Sequence, residues 1–238
     1  MDKQGNLYTF IYAAVMVIIV ASTLALVSQG LKPRQVRNEM VAKKTDILQS
    51  VNIASTSKDA EAKYEEIIGE ASYIVNFQGE KVDGVAFDVD LAKEVRKPLE
   101  ERLYPVYEAR LESGELKYVL QFRGNGLWGP LWGYVSLNDD GETIYGATFG
   151  HKSETPGLGA EIANDGFQAQ FKGKEIFNSN GELVSVAVVK GGAPDDAKSA
   201  VDAVSGGTIT SEGLQNMLSS FFEGYEQFLK KIERERHE

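Results

Sequence analysis

Between Asp202 and Ser211 the chain reads Asp-Ala-Val-Ser-Gly-Gly-Thr-Ile-Thr-Ser, which delivers a small hydroxyl beside two glycines to the start of a long helix. The helix is legible from Leu214, Met217, Leu218, Phe221, Phe222, Tyr225, Phe228, Leu229 and Ile232, whose three- and four-residue spacing makes one apolar face. Thr210 or Ser211 is the expected N-cap, Glu212 suits the first turn, and Lys230, Lys231 and Arg234 suit the last. A helix N-terminus offers unpaired N–H groups and partial positive charge, so a phosphate on a hydroxyl of the preceding loop would be stabilised there. Gly206 and Gly207 would let the backbone approach it closely. Without a ligand, the same residues are a capped helix after a Gly-Gly turn.

Two further stretches carry candidate residues. His151-Lys152-Ser153-Glu154-Thr155-Pro156-Gly157-Leu158-Gly159-Ala160-Glu161-Ile162 reads as a loop, because Pro156 lacks a donor and Gly157 and Gly159 permit unusual dihedrals or close contact with a ring. Gly124-Asn125-Gly126-Leu127-Trp128-Gly129 is a literal G-x-G-x-x-G. A dinucleotide fingerprint needs a strand before it and a helix after it. Leu116 to Phe122 supplies the strand, but Pro130, Trp132, Tyr134, Val135 and Leu137 continue as a β-like run to Asn138-Asp139-Asp140-Gly141. The helix is missing, and NADH binding by this chain is not expected.

The elements that must position these loops follow from the patterning. Val36 to Ser50 and Asp59 to Gly69 read as helices, the second with Ala60, Tyr64, Ile67 and Ile68 on one side. Ser72 to Phe77 with Val82 to Val89 reads as strand, Asp90 to Glu101 as a helix that Pro98 interrupts or ends, and Leu103 to Tyr107 as extended. Leu116 to Val135, Ile144 to Phe149, Gln168 to Phe171 and Leu183 to Val189 are strand candidates between Gly and Asn/Asp turns. Few strands are joined by helical crossovers, so the expectation is an α+β domain with a largely antiparallel sheet and the C-terminal helix packed on it. Lys230 to Glu238, of mixed charge, reads as a fraying helix end.

Composition narrows the function. The absence of cysteine excludes disulfides, thiolate metal sites and cysteine-ligated clusters, and His151 and His237 are too few for a histidine-rich metal or haem site. A formal net charge of −10 argues against nucleic acid. Ser205 lacks a histidine–acid pair, and no carboxylates are spaced for acid–base hydrolysis. From Leu7 to Val27 the chain carries no charge, a run of the ~20 residues that span a bilayer as a helix. Ala25-Leu26-Val27-Ser28 is a poor cleavage site, so a retained anchor is expected.

These motifs resemble a known family. Asp202, Ser205, Gly206 and Thr208 are similar to the Asp-x-x-Ser/Thr-Gly-Ala-Thr motif at which a flavin transferase esterifies FMN phosphate onto the last threonine, with Gly207 standing where alanine is usual. Glu154 to Gly159 resembles the Glu-Thr-Pro-Gly-Leu-Gly loop of FMN-binding subunits in the sodium-translocating NADH:quinone oxidoreductase and in the related Rnf complexes. Gly124 to Trp128 resembles the Gly-x-Gly-Leu-Trp of the C subunit of the former and is not expected in its Rnf relative. The resemblance implies FMN held covalently on Thr208, with Asp202, Ser205, Gly206 and Gly207 in the stretch the transferase reads.

Around the ring, Trp128 and Leu158 could pack on isoalloxazine, while Thr155 and the N–H groups of Gly157 to Gly159 could bond its polar edge. Lys190 could offset phosphate or flavin charge, and Glu154 belongs to the same loop. Each has a plain reading too: Trp128 as core, Lys190 as a solvated turn residue, Glu154 as a surface carboxylate and His151 as a structural imidazole. The implied function is electron transfer in a membrane complex that oxidises NADH, reduces quinone and pumps sodium, with the other subunits as partners and with sodium and quinone sites lying in them. The implied organisation is an anchor over 1–30, a linker and first part of the soluble domain over 31–115, and the FMN-binding domain over 116–238.

Sidedness divides the readings. Lys32, Arg34, Arg37, Lys43 and Lys44 follow the span and only Lys3 and the amino terminus precede it, so the positive-inside rule keeps the domain in the cytoplasm. The resemblance implies a bacterial inner-membrane subunit with a periplasmic domain, and that is the expectation adopted. Two rivals stay open: the FMN subunit of an Rnf complex, and a non-redox anchored interaction domain in which Thr208 is an unmodified cap.

Overall fold

A computed structural model describes residues 6–237; Lys3, in the charge count above, and Glu238 lie outside them. The chain divides into two compact units, Met1–Lys43 and Lys44–Glu238. In the first, α1 (Asn6–Ser50) begins, a helix long and apolar enough to cross a membrane by length and composition, with its apolar residues exposed. Its last turns belong to the second unit. There, α2 (Ala60–Ile67) and six strands follow: β1 (Ser72–Val75), β2 (Lys81–Val82), β3 (Tyr104–Arg110), β4 (Leu116–Asn125), β5 (Pro130–Leu137) and β6 (Ile144–His151). The sheet order is β2-β1-β3-β4-β5-β6, and every neighbouring pair is antiparallel.

Alternation on the strands feeds two cores. Leu120, Phe122, Leu131, Val135 and Phe149 face α5 (Thr208–His237), which lays Leu214, Leu218, Phe221, Phe222 and Tyr225 against them. Phe122 meets Phe222 edge-on at 4.9 Å between ring centroids. On the opposite face Ser50 at the end of α1 accepts a hydrogen bond from Ser136 Oγ at 2.5 Å, and Asp46 accepts one from Trp132 Nε1 at 3.2 Å. The α5 stripe read from the sequence is therefore the core stripe, and the helix continues to His237 through the segment expected to fray.

Several local expectations are corrected. Gln168 to Phe171 is not a strand: α4 (Asp165–Gln168) and a 3-10 turn (Ala169–Phe171) occupy it, because Phe167 and Phe171 both turn inward to Phe149. Asp90 to Glu101 yields only α3 (Leu91–Glu94) and a 3-10 turn at Leu99–Glu101, since Pro98 cannot continue a helix. Val82 to Val89 is strand only at Lys81–Val82, with a 3-10 turn at Ala86–Asp88. Leu183 to Val189 narrows to β7 (Ala187–Val189), which pairs in parallel with β8 (Ala200–Asp202). The G-x-G-x-x-G segment is the turn of the β4–β5 hairpin, with no helix after it.

Tyr225 is fully buried and donates to the Pro105 carbonyl at 2.6 Å, tying α5 to β3. Phe222→Ala should cost about 3–5 kcal/mol from lost burial and the cavity left behind. Tyr225→Phe should cost about 1–3 kcal/mol, by leaving Pro105 O without its donor. Urea unfolding of the full chain in detergent checks that order; an unmoved midpoint in Tyr225→Phe would place the value of Tyr225 in its ring alone.

Candidate functional site

The antiparallel pairing decides which loops meet. The β4–β5 turn and the C-terminal end of β6 lie at one end of the sheet, with Asn125 opposite Pro130 and Leu131 opposite His151. The Glu154–Gly159 loop therefore starts beside the Gly126–Gly129 turn. The same end receives the start of α5, since a Cβ on Gly213 would strike the Asn125 carbonyl.

One carboxylate joins the three segments. Glu154 is only 5 % exposed. Its Oε1 accepts the Trp128 N–H at 2.8 Å, its Oε2 accepts the Thr210 hydroxyl at 2.5 Å, and its own N–H donates to His151 Nδ1 at 3.2 Å. Burial pushes its carboxyl up, but the hydrogen bonds from Thr210, Trp128 and the Leu127 backbone outweigh that and hold it below the usual carboxylate range. Gly159 is required for this approach: a Cβ there would run into Thr210 Oγ1 and lie 2.6 Å from Glu154 Oε2.

Residues 202–211 form a turn and a helix start. The Gly207 N–H donates to Val204 O at 3.0 Å, and Gly206, at φ 73°, takes the third position, where a type II turn requires positive φ. Its absent side chain also makes room for Leu158 Cδ2, 2.6 Å from where a Cβ would stand. The Gly207 carbonyl accepts the Ser211 N–H at 2.8 Å, so the helix starts at Thr208, earlier than the sequence suggested. Thr210 and Ser211 are accordingly not N-caps, and Glu212 lies beyond the first turn. Thr210 is 2 % exposed and bound to Glu154; Ser211, also 2 % exposed, accepts the Val204 N–H at 3.1 Å. Thr208 is partly exposed, and Ser205 and Gly206 are exposed in the turn.

The other candidate residues gather nearby with mixed roles. Trp128 is 65 % exposed, which removes the core reading, and Leu127, Leu158 and Ile209 stand exposed around the same three segments. Thr155 is exposed, and its carbonyl accepts the Leu158 and Ala160 N–H groups. The Gly157 N–H goes to Glu161 Oε1 at 2.8 Å, so the N–H groups of Gly157 and Leu158 are engaged inside the loop. Asp202 accepts the Ala193 N–H at 2.7 Å, bracing the turn that follows exposed Lys190 at the end of the β7–β8 pair. Sequence reasoning missed Ile209 and the role of Thr210. The signal for Ile209 was available: it falls on the helix face of Glu212 and Asn216, away from the apolar stripe.

Residues 126–223 match the model of the FMN-binding domain family. The C subunit of the Na(+)-translocating NADH-quinone reductase from Neisseria meningitidis is 32% identical over 97% of this chain and 96% of its own. The Vibrio vulnificus C subunit is 32% identical over 90% and 89%. The crystal structure of the C subunit from Parabacteroides distasonis superposes with a TM-score of 0.77 at 48% identity, covering 84% of this chain and 96% of that one. This chain belongs to the family of these C subunits. Its stretch that matches the FMN-binding domain holds the Glu154 junction and the start of α5.

Because Glu154 is held ionised, its contribution is complete above the ordinary carboxylate value of 4.5 and is lost as pH falls through its lower folded value. Thermal unfolding should therefore show an acid limb below about pH 4.5 that Glu154→Gln shortens while leaving the behaviour above pH 6 flat. An unchanged acid limb in that variant would mean other carboxylates set it.

Proposed function

We propose that this chain carries FMN through a phosphoester on Thr208 and relays electrons in a membrane complex that oxidises NADH, reduces quinone and moves sodium ions. The observation that carries this is the state of the hydroxyls from Ser205 to Ser211. Thr210 and Ser211 are buried with their oxygens engaged, whereas Thr208 stands partly exposed at the first helical position. The N–H groups of Thr208, Ile209 and Thr210 have no acceptor within the helix, and the helix dipole adds positive charge, so a phosphoester on Thr208 meets donors. Asp202, Ser205, Gly206 and Gly207 form the turn presented to a flavin transferase.

The residues present fit a flavin. Trp128, Leu158, Ile209 and Leu127 offer an apolar platform within the reach of Thr208, and Glu154 fixes the backbone beneath it. Thr155, Gly157 and Gly159 shape the loop against the ring, and Lys190 faces solvent where it can offset phosphate charge. FMN supplies one- and two-electron chemistry when bound; the protein holds it, shields one face and orients it. The partners are the other membrane and redox subunits of the reductase. Its α1 anchors it in the bacterial inner membrane, with the domain on the periplasmic side.

Coexpressed with a flavin transferase, the full chain should fluoresce in a denaturing gel under ultraviolet light. Thr208→Ala should lose that fluorescence while the protein stays folded, and Thr210→Ala should keep it; the reverse pattern would move the attachment two residues along. For sidedness, protease added to cells with only the outer membrane opened should digest the chain after about Gly30. Protection would place the domain in the cytoplasm, as the basic cluster Lys32 to Lys44 taken alone requires.

A further inference from the structure

We infer that Glu154, besides fastening the loops, is a fixed negative charge that holds down the reduction potential of the FMN on Thr208; this rests on the attachment proposed above. The carboxylate is buried and bonded to Thr210, two residues from Thr208 and so within one helical turn, about 5 Å of rise, of the attachment point. Its other oxygen holds the N–H of Trp128, the largest exposed apolar side chain of the platform. Leu127, Leu158 and Ile209 are exposed on the same three segments that the carboxylate joins.

No lysine or arginine forms an ion pair with Glu154 among the described residues. His151 Nδ1 accepts the Glu154 N–H, a contact to the backbone and not to the carboxylate. A surface charge would be screened by salt, but a buried one acts through a poorer dielectric at short range. Each electron added to the ring is therefore opposed, most strongly where no proton accompanies it.

The test is an anaerobic spectroelectrochemical titration, with dithionite as reductant, of the full flavinylated chain in detergent. Glu154→Gln removes the charge and can keep both contacts, its Oε1 accepting from Trp128 N–H and its Nε2 donating to Thr210 Oγ1. The midpoint should move to more positive potential and stay shifted in high salt. Thr210→Val breaks the clamp and keeps the charge, so it should not reproduce that rise. Equal upward shifts in both variants would make loop geometry the cause and overturn the inference, as would an unmoved midpoint in Glu154→Gln. If Glu154→Gln fails to load flavin, Ile209→Lys supplies an opposing charge on the platform; a midpoint that does not rise there overturns the inference too. Absence of covalent flavin in the wild-type chain, seen in the gel before any titration, would instead sink the Thr208 reading and this inference with it.

Discussion

The geometry of this end of the domain depends on one buried carboxylate. A neutral side chain could satisfy one or two donors, but Glu154 must take the Thr210 hydroxyl and backbone N–H groups of the β4–β5 turn together, and an ionised carboxylate accepts at several lone pairs without donating. Burying an anion is costly, and charge-assisted hydrogen bonds are the interactions strong enough to offset it. The consequence is steric as well as electrostatic. The carboxylate draws three segments so close that Gly126 and Gly159 cannot carry a Cβ without striking it, since the built atoms lie 2.7 and 2.6 Å from its oxygens. Glycines that read in the sequence as freedom for a ligand are, in the folded chain, the space the clamp itself occupies.

The sheet makes this clamp possible. A hairpin turn and the exit of the next antiparallel strand fall on the same edge by topology, so β4, β5 and β6 bring Trp128 and Glu154 together without a long connection. The helix start is brought there by the α5 stripe, whose Leu214, Leu218 and Phe222 lock its rotation in the core against β4 and leave Ile209 outward. Stability and site are thus linked through one helix: the residues that bury its face also aim its first turn.

The parts legible in the sequence were those with a strong period or a rigid punctuation mark. The α5 stripe, the α1 run and the β-patterning of β3 to β6 each announce themselves through spacing, whereas Leu116 to Val135, read as one strand candidate, is divided into β4 and β5 by the turn at Gly126–Gly129. Gln168 to Phe171 misled because alternating apolar and polar residues over so few positions fit a strand as well as a turn of helix. The β6 partner of Phe171 is Phe149, more than twenty residues upstream, and only tertiary packing discriminates. Thr210 misled for a similar reason. Hydroxyls before an apolar run read as caps, and its actual partner lies 56 residues upstream. Glu154 reads in the sequence equally as a surface carboxylate because charge in a loop is ordinarily solvated, and its burial depends on donors contributed by two other segments.

Gly207, where the resembling motif carries alanine, can be judged on the same physical terms. A Cβ there would lie 3.1 Å from Val204 Cγ1 and 3.2 Å from the Gly159 N, tight contacts that a shift of a few tenths of an ångström would relieve. The turn does not rely on that methyl for stiffness. The Gly207 N–H to Val204 O bond closes it, the Val204 N–H to Ser211 Oγ bond straps it to the helix, and the Gly207 carbonyl begins the α5 ladder. Glycine lowers the local cost of bringing the helix start against Gly159 and gives up chain stiffness in the unfolded state. Three hydrogen bonds within eight residues restore the stiffness in the folded one, so the departure from the motif leaves the orientation of Thr208 fixed by the same contacts that bury Thr210 and Ser211.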